Sequence, residues 1–263
     1  MNIPAITVVA GLPGCGKTTW IYQQLAVGQQ HFHSTSGNVL YYSPGTGSVP
    51  IDQTYLATKF PQVKVFDDTQ TAEFVNQLTV ADAIYMEVGF YLELSTVEKI
   101  LNNLPYSKVA VLPPNLKDSE WYSWASEIVA GVSASKNLSK AQLWRVSNTG
   151  QVFDENSLEE FWYEMTHGAY GTVVRAKGIF DVADGRSLYA DFVEGVQETD
   201  LIELDLPRHL EGRPHRFSGV EVLGENLDEV ALGQTLQDCC LSDAAILYYQ
   251  EQAKESLKEE MVR

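Results

Sequence analysis

The apolar positions in the first part of the chain fall into short runs that are separated by longer, helix-like stretches. Residues 5–11, Ala-Ile-Thr-Val-Val-Ala-Gly, form such a run, which is typical of a buried parallel strand. Apolar residues at helical spacing follow over residues 18–26. Similar strand-like runs recur at residues 39–43, 63–66, 83–88, 109–112, 128–132 and 142–146, and helix-like stretches lie near residues 70–79, 95–104 and 119–126. This alternation predicts a mostly parallel, doubly wound α/β sheet.

The pattern changes in the second part of the chain. Ser157 and Glu160 have the spacing of a capping box and are followed by apolar residues on one helical face. Asn226 and Glu229 have the same spacing and predict a second helix. Between these helices the strand-like segments arrive without intervening helices, at residues 171–182, 187–196, 201–206 and 215–223, and a polar helix is predicted at residues 243–263. Consecutive strands of this kind predict an antiparallel sheet and an α+β fold.

Charge and pattern together predict two domains. We expect a parallel-sheet domain over residues 1–166 and a smaller α+β domain over residues 167–263. Residues 151–263 hold 9 Lys and Arg against 24 Asp and Glu, a net charge of −15, whereas residues 1–150 hold 9 against 11. We expect no nucleic-acid partner, because phosphate binding needs a basic surface. A solvated acidic surface explains this charge most simply, and the alternatives are a basic protein partner or the gathering of cations.

The longest apolar runs have the length of strands, so we expect no membrane span. The first residues lack the basic and apolar regions of a signal peptide. The sequence therefore predicts a cytoplasmic location.

Residues 11–18, Gly-Leu-Pro-Gly-Cys-Gly-Lys-Thr, match the P-loop pattern Gly-x-x-x-x-Gly-Lys-Thr and lie between a predicted strand and a predicted helix. The glycines let the backbone turn its N–H groups toward the phosphates of a nucleoside triphosphate. Lys17 is expected to reach the β- and γ-phosphates, and the Thr18 hydroxyl is expected to bind Mg²⁺. Cys15 would face the phosphate with its amide, although a redox role is the alternative, since a helix N-terminus lowers a thiol pKa. The predicted nucleotide-binding residues of this segment are Gly11, Gly14, Cys15, Gly16, Lys17, Thr18 and Thr19.

The chain resembles the CobW family of P-loop GTPases, the cobalamin-synthesis and metal-chaperone group. Besides the P-loop, residues 47–52 are similar to that family's Gly-x-Val-Gly-Ile-Asp, and residues 84–89 resemble its Glu-Thr-Ser-Gly strand. The second domain resembles the family's C-terminal domain at residues 174–180, 213–217 and 223–228. The resemblance implies that GTP and Mg²⁺ are bound, that Lys17 and Glu87 act in hydrolysis, and that Glu87 and Asp52 assist Thr18 with the metal ion.

The chain departs from the family pattern at the metal motif and at the base-recognition motif. Residues 41–87 contain no cysteine, so the family's Cys-x-Cys-Cys motif is missing and we expect no transition-metal binding there. The family's Asn-Lys-x-Asp corresponds to residues 133–138, Ser-Ala-Ser-Lys-Asn-Leu, which keep a lysine, Lys136, but lack the aspartate that recognises guanine. Lys136 is the predicted contact to the base. GTP is expected from the resemblance, and ATP is not excluded.

Two weaker sets of candidate ligands remain beside these motifs. His31 and His33 are separated by one residue and could bind the same metal ion. No third ligand is identifiable, and a polar loop explains the two histidines as well. Asp67 and Asp68 follow a predicted strand and are a further option for Mg²⁺.

We expect a GTPase that switches a chaperone or assembly factor for an unknown protein client. The alternative is a nucleotide-binding interaction protein with little catalysis, which the missing motif residues favour. A small-molecule kinase is a third possibility, without an acceptor-binding pair of residues to support it.

Overall fold

The computed structural model describes residues 4–31, 38–45, 47, 49–89, 92–102, 104–132, 140–197 and 200–262, without the side chains of 29–31 and 260–262. The chain divides into two compact units, Met1–Ala134 and Ser135–Arg263. This division falls before the boundary expected at residue 166, because a strand and a helix that precede residue 166 belong to the second unit.

The described residues of the first unit form a six-stranded, wholly parallel sheet in the order β3-β2-β4-β1-β5-β6. The chain runs outward from β1 in both directions, which confirms the prediction of a doubly wound α/β fold. Its strands are β1 Ala5–Ala10, β2 Val39–Tyr42, β3 Val63–Phe66, β4 Ala83–Glu87, β5 Ser107–Leu112 and β6 Glu127–Ala130. Its helices are α1 Lys17–His31, α2 Ile51–Lys59, α3 Thr71–Gln77, α4 Leu94–Leu101 and α5 Glu120–Trp124.

The α2 helix was not expected from the sequence. It begins after Pro50 and buries Ile51 and Leu56, two apolar residues that are too few and too widely spaced to make a clear pattern. Asp52 therefore lies in the first turn of a helix. An acidic residue is favourable there because of the positive end of the helix dipole.

The second unit contains a five-stranded antiparallel sheet in the order β10-β9-β8-β11-β7, which confirms the prediction of an α+β fold. Its elements are β7 Gln142–Ser147, α6 Glu155–Thr166, β8 Thr172–Asp181, β9 Ser187–Val193, β10 Ile202–Glu203, β11 Gly219–Glu225, α7 Glu229–Asp238 and α8 Asp243–Val262. Apolar side chains of α6, such as Phe161, pack with Phe180 of β8 and Leu232 of α7 in one core.

β7 was expected to be a late strand of the parallel sheet, and this prediction was wrong. It pairs antiparallel with β11, with Arg145 directly opposite Glu221. The two side chains form an ion pair of 2.6 Å, and the neighbouring Trp144 is buried in the core of the second unit.

Both predicted capping boxes are displaced from the caps that the structure shows. The cap of α6 is Asp154, whose carboxylate accepts hydrogen bonds from the main-chain N–H and the hydroxyl of Ser157 at 3.0 and 2.9 Å. The cap of α7 is Asp228, whereas Asn226 has a φ of 53°. In each case an aspartate close to the expected cap competes for the same free N–H groups of the helix.

Candidate functional site

The P-loop segment connects β1 to α1 at the carboxyl edge of the parallel sheet. Gly11, Gly14 and Gly16 all have positive φ values, of 146°, 73° and 103°. A Cβ on Gly11 would also lie 2.2 Å from the main-chain oxygen of Val111 in β5. Only glycine fits such a conformation at such a close approach. The loop therefore has the backbone that a phosphate-binding turn needs.

Lys17 is the first residue of α1, and its side chain turns back into the loop. It is only 8% exposed, and its ammonium group donates hydrogen bonds to the main-chain oxygens of Gly11 at 3.2 Å and Leu12 at 3.0 Å. The loop thus holds a positive charge at the N-terminus of a helix, where an anion is favoured.

Thr18 and Glu87 meet beside the loop. Glu87 is the last residue of β4 and pairs with Val9 of β1, so both strands bring their ends to the same edge. The Thr18 hydroxyl lies 2.9 Å from Oε2 and 3.2 Å from Oε1 of Glu87, which is only 5% exposed. Hydroxyl and carboxylate oxygens are the ligands that Mg²⁺ prefers. The residues present therefore fit the predicted metal ion.

Tyr41 is a member of this site that the sequence did not reveal. It lies on β2 and is fully buried, and its hydroxyl donates a hydrogen bond of 3.0 Å to Oε2 of Glu87. Burial raises the pKa of the Tyr41 phenol well above its usual range, and the charges of Glu87 and Asp52 raise it further. In the sequence, Tyr41 is one residue of an apolar strand, with no local pattern that sets it apart.

Cys15 is buried within the loop, and burial raises the pKa of its thiol, an effect that the nearby Lys17 charge reduces. A protonated, inaccessible thiol is a poor nucleophile, which argues against the redox alternative. The Cys15 main-chain oxygen instead accepts a hydrogen bond of 3.2 Å from the N–H of Val132. Thr19, which was also assigned to the nucleotide, is exposed on α1.

The aspartates after β3 have local structural roles. Asp67 caps a short 3-10 turn and accepts a hydrogen bond from the N–H of Thr69 at 2.8 Å. The Asp68 carboxylate accepts hydrogen bonds from the main-chain N–H groups of Gly45 and Gly47, the latter at 2.8 Å. Asp68 thereby holds the segment that follows β2.

Several predicted ligands cannot be placed in the site. Lys136, the predicted base contact, and His33 lie outside the described residues, as does the side chain of His31. Asp52 stays a prediction as a metal ligand, and its charge lies close enough to Tyr41 to raise the pKa of that phenol. The described side chains contain no group of three or more His, Cys, Asp and Glu residues that could hold a metal ion. Within the same part of the chain, no helix combines the length and the apolar character needed to cross a membrane.

A cavity of about 230 Å³ lies against the ends of β5 and β6. Among the described residues, its lining is mainly apolar, with Leu112 and Ile128 from the strands, and Lys117 carries the one charge. None of the predicted phosphate or metal ligands lines it.

Comparison with known proteins adds evidence for the second unit. Residues 145–240 match the family model described as the cobalamin synthesis protein cobW C-terminal domain. The matched range begins in β7, in agreement with the early division between the units. No curated protein matches the chain.

Two solved structures align along most of the chain. The crystal structure of Zn(II)-bound YjiA GTPase from E. coli covers 91% of this chain and 99% of its own, at 10% sequence identity and a TM-score of 0.31. A Zn(II)-bound triple mutant of YjiA GTPase gives the same coverage, identity and TM-score. A likeness this distant carries no inference about function. The family-model match of residues 145–240 confirms, for this part of the chain, the resemblance to the CobW family.

Proposed function

We propose that the first unit binds a nucleoside triphosphate with Mg²⁺ and hydrolyses it, and that this cycle switches a chaperone or assembly factor. GTP is the expected nucleotide, with ATP not excluded. The observation that carries the proposal is the contact between Thr18 and Glu87 beside the buried Lys17 ammonium. A hydroxyl, a carboxylate and an ammonium at the end of a P-loop are the groups that bind a metal–triphosphate complex.

Each residue has a distinct part in this proposal. The Lys17 ammonium neutralises charge on the β- and γ-phosphates, and the N–H groups of the loop bind their oxygens. Thr18 and Glu87 would hold Mg²⁺, which supplies further neutralisation of phosphate charge when it is bound. Glu87 is at the same time the residue best placed to orient an attacking water, because its carboxylate lies at the strand end beside the loop.

The test is the binding of GTP, ATP and the two diphosphates, each with and without Mg²⁺, to wild type and Lys17→Ala. We expect the variant to lose triphosphate affinity by on the order of 100-fold or more, because a charged contact to phosphate is lost in a desolvated loop. Lys64→Ala is the matched control, since Lys64 is exposed in the same unit and pairs with Glu73 at 3.1 Å. Undiminished affinity of Lys17→Ala for GTP and ATP would refute the proposal.

A nucleotide-binding interaction protein with little catalysis is the second candidate. One observation favours it: the Glu87 carboxylate already accepts hydrogen bonds from both Thr18 and Tyr41. A carboxylate held in this way is better suited to position groups than to accept a proton from water. Release of phosphate under saturating nucleotide distinguishes the two functions, since tight binding without turnover above background supports the second.

A further inference from the structure

Tyr41 reaches Glu87 because of the register between two neighbouring strands. In the parallel pair of β2 and β4, Tyr41 lies beside Tyr85, and Glu87 follows two residues later. Side chains two residues apart on a strand share one face, and they are separated by about 6.6 Å along it. The tyrosine ring spans this distance, and its hydroxyl ends 3.0 Å from Oε2 of Glu87. The register of β2 against β4 thus determines the contact between Tyr41 and Glu87.

We propose that Tyr41 is a positioning residue for Glu87. Its hydroxyl fixes the Glu87 carboxylate against Thr18 and thereby strengthens the binding of the Mg²⁺–nucleotide complex. The inference rests on the proposed function and names a residue on which its metal site depends. Tyr41 acts through Glu87, whose carboxylate its hydroxyl contacts directly.

The burial of Glu87 is the reason why we expect the single Tyr41 hydroxyl to have a large effect on Mg²⁺–nucleotide binding. Glu87 is 5% exposed, so its charge is stabilised by protein donors and only slightly by water. Thr18 is one such donor, but its oxygen is also the predicted metal ligand. The Tyr41 hydroxyl lies outside the P-loop and donates to the same carboxylate oxygen, Oε2.

The Tyr41 phenol keeps its proton under all ordinary conditions. Burial raises its pKa, and so do the negative charges of Glu87 and Asp52, while a hydrogen bond with Ser43 acts in the opposite direction. The hydroxyl therefore keeps the proton that it donates to Glu87.

The experiment compares Tyr41→Phe with Tyr42→Phe. Tyr42 is the next residue of β2, is also buried, and its hydroxyl forms a hydrogen bond of 2.8 Å with Thr71, so its variant loses one buried hydroxyl away from Glu87. The dissociation constant and the stoichiometry of GTP binding are measured over a range of Mg²⁺ concentrations. For Tyr41→Phe we expect a higher Mg²⁺ requirement. The Mg²⁺ concentration that gives half of the maximal increase in GTP affinity should rise roughly tenfold, since a hydrogen bond to a charged group is lost. Binding without Mg²⁺ and the Tyr42→Phe titration should match wild type.

The possible outcomes separate the two proposals. A wild-type protein that binds no nucleotide removes both of them. A wild type that binds GTP with Mg²⁺, together with an unchanged Mg²⁺ titration in Tyr41→Phe, overturns the role of Tyr41 and leaves the proposed function standing. A reduced stoichiometry with an unchanged titration has the same meaning, because a folding defect removes competent protein without altering the affinity of the remainder.

A second measurement uses the wild-type protein in case the variant folds poorly. Tyrosine labelled with ¹³C at the ring carbon that bears the hydroxyl gives an NMR signal for each phenol. The signal of Tyr41 should shift when Mg²⁺ is added in the presence of GTP, and that of Tyr42 should not. A Tyr41 signal that stays in place contradicts the proposal.

Discussion

At the scale of single residues, Gly131 joins the end of β6 to the P-loop. Its N–H donates a hydrogen bond of 2.8 Å to the main-chain oxygen of Leu112, and the next residue, Val132, donates to the oxygen of Cys15 at 3.2 Å. A Cβ on Gly131 would lie 2.5 Å from that same Cys15 oxygen. The loop is therefore supported from the end of β6, by main chain that only glycine allows to come so close.

We predict that Gly131→Ala destabilises the first unit and weakens nucleotide binding. The added methyl group meets backbone, which cannot move aside as a flexible side chain would, so a cost of about 1–3 kcal/mol in unfolding free energy is expected. Urea denaturation and GTP affinity measure the two effects. Gly233→Ala is the control, because its Cβ would have no neighbour nearer than 4.0 Å, within a helix that alanine favours. Wild-type stability and affinity in Gly131→Ala would contradict the importance of this contact.

The site residues differ in how far the sequence reveals them. Lys17 and Thr18 follow from local spacing alone, because the P-loop is a continuous segment whose chemistry depends on its own backbone. Tyr41 and Glu87 are 46 residues apart, and their contact depends on which strands are neighbours and in which register. The pattern of apolar and polar residues along the chain carries no information on that register. From the sequence alone, Tyr41 is therefore indistinguishable from any other residue of a buried strand.

At the scale of elements, the start of α6 shows two good caps in competition. Asp154 and Ser157 are both residues that favour helix N-termini. In the structure Asp154 is the cap and Ser157 lies inside the first turn, donating its hydroxyl to Asp154 at 2.9 Å. Sequence spacing favoured Ser157, because it pairs with Glu160, but the helix begins three residues earlier.

We predict that Asp154→Ala lowers the free energy of unfolding by about 1 kcal/mol, the usual cost of losing an N-cap. Ser157→Ala is the matched variant, and its effect should be smaller because the main-chain N–H of residue 157 still reaches the Asp154 carboxylate. Chemical denaturation of both variants decides the matter. An equal or greater loss in Ser157→Ala would support the cap that the sequence favoured.

The position of β7 shows that hydrophobic periodicity predicts a strand but does not predict the sheet to which the strand belongs. Its existence was predicted correctly, yet it was assigned to the wrong sheet, because a strand's pattern does not name its partner. The pairing depends on the match of Arg145 with Glu221 and on the burial of Trp144, both of which involve residues far along the chain. The parallel sheet was easier to predict, since its inner strands are largely buried and its strands alternate with helices.

At the scale of the whole molecule, most of the charge of the chain is carried by its second part. Residues 151–263 have a net charge of −15, and most of these residues lie in the range that matches the CobW C-terminal domain model. The client protein, its chemistry and the cytoplasmic location stay predictions. A nucleotide switch works only if the bound nucleotide alters the surface that a client contacts, and we expect that surface on the acidic second unit.

The proposed switch therefore predicts a response of the second unit to the nucleotide in the first. With Mg²⁺ and a non-hydrolysable GTP analogue, amide hydrogen exchange should slow in residues 11–18 except Pro13, and at Ser43 and Gly45, relative to GDP. Bound phosphate and metal order the segments around them. Exchange in β8 and β9 should change as well, because a switch requires the bound nucleotide to favour one conformation of the second unit over another. Lys17→Ala should abolish both responses. A response confined to residues 4–132 would remove the link to a client and favour a binding protein without a switch.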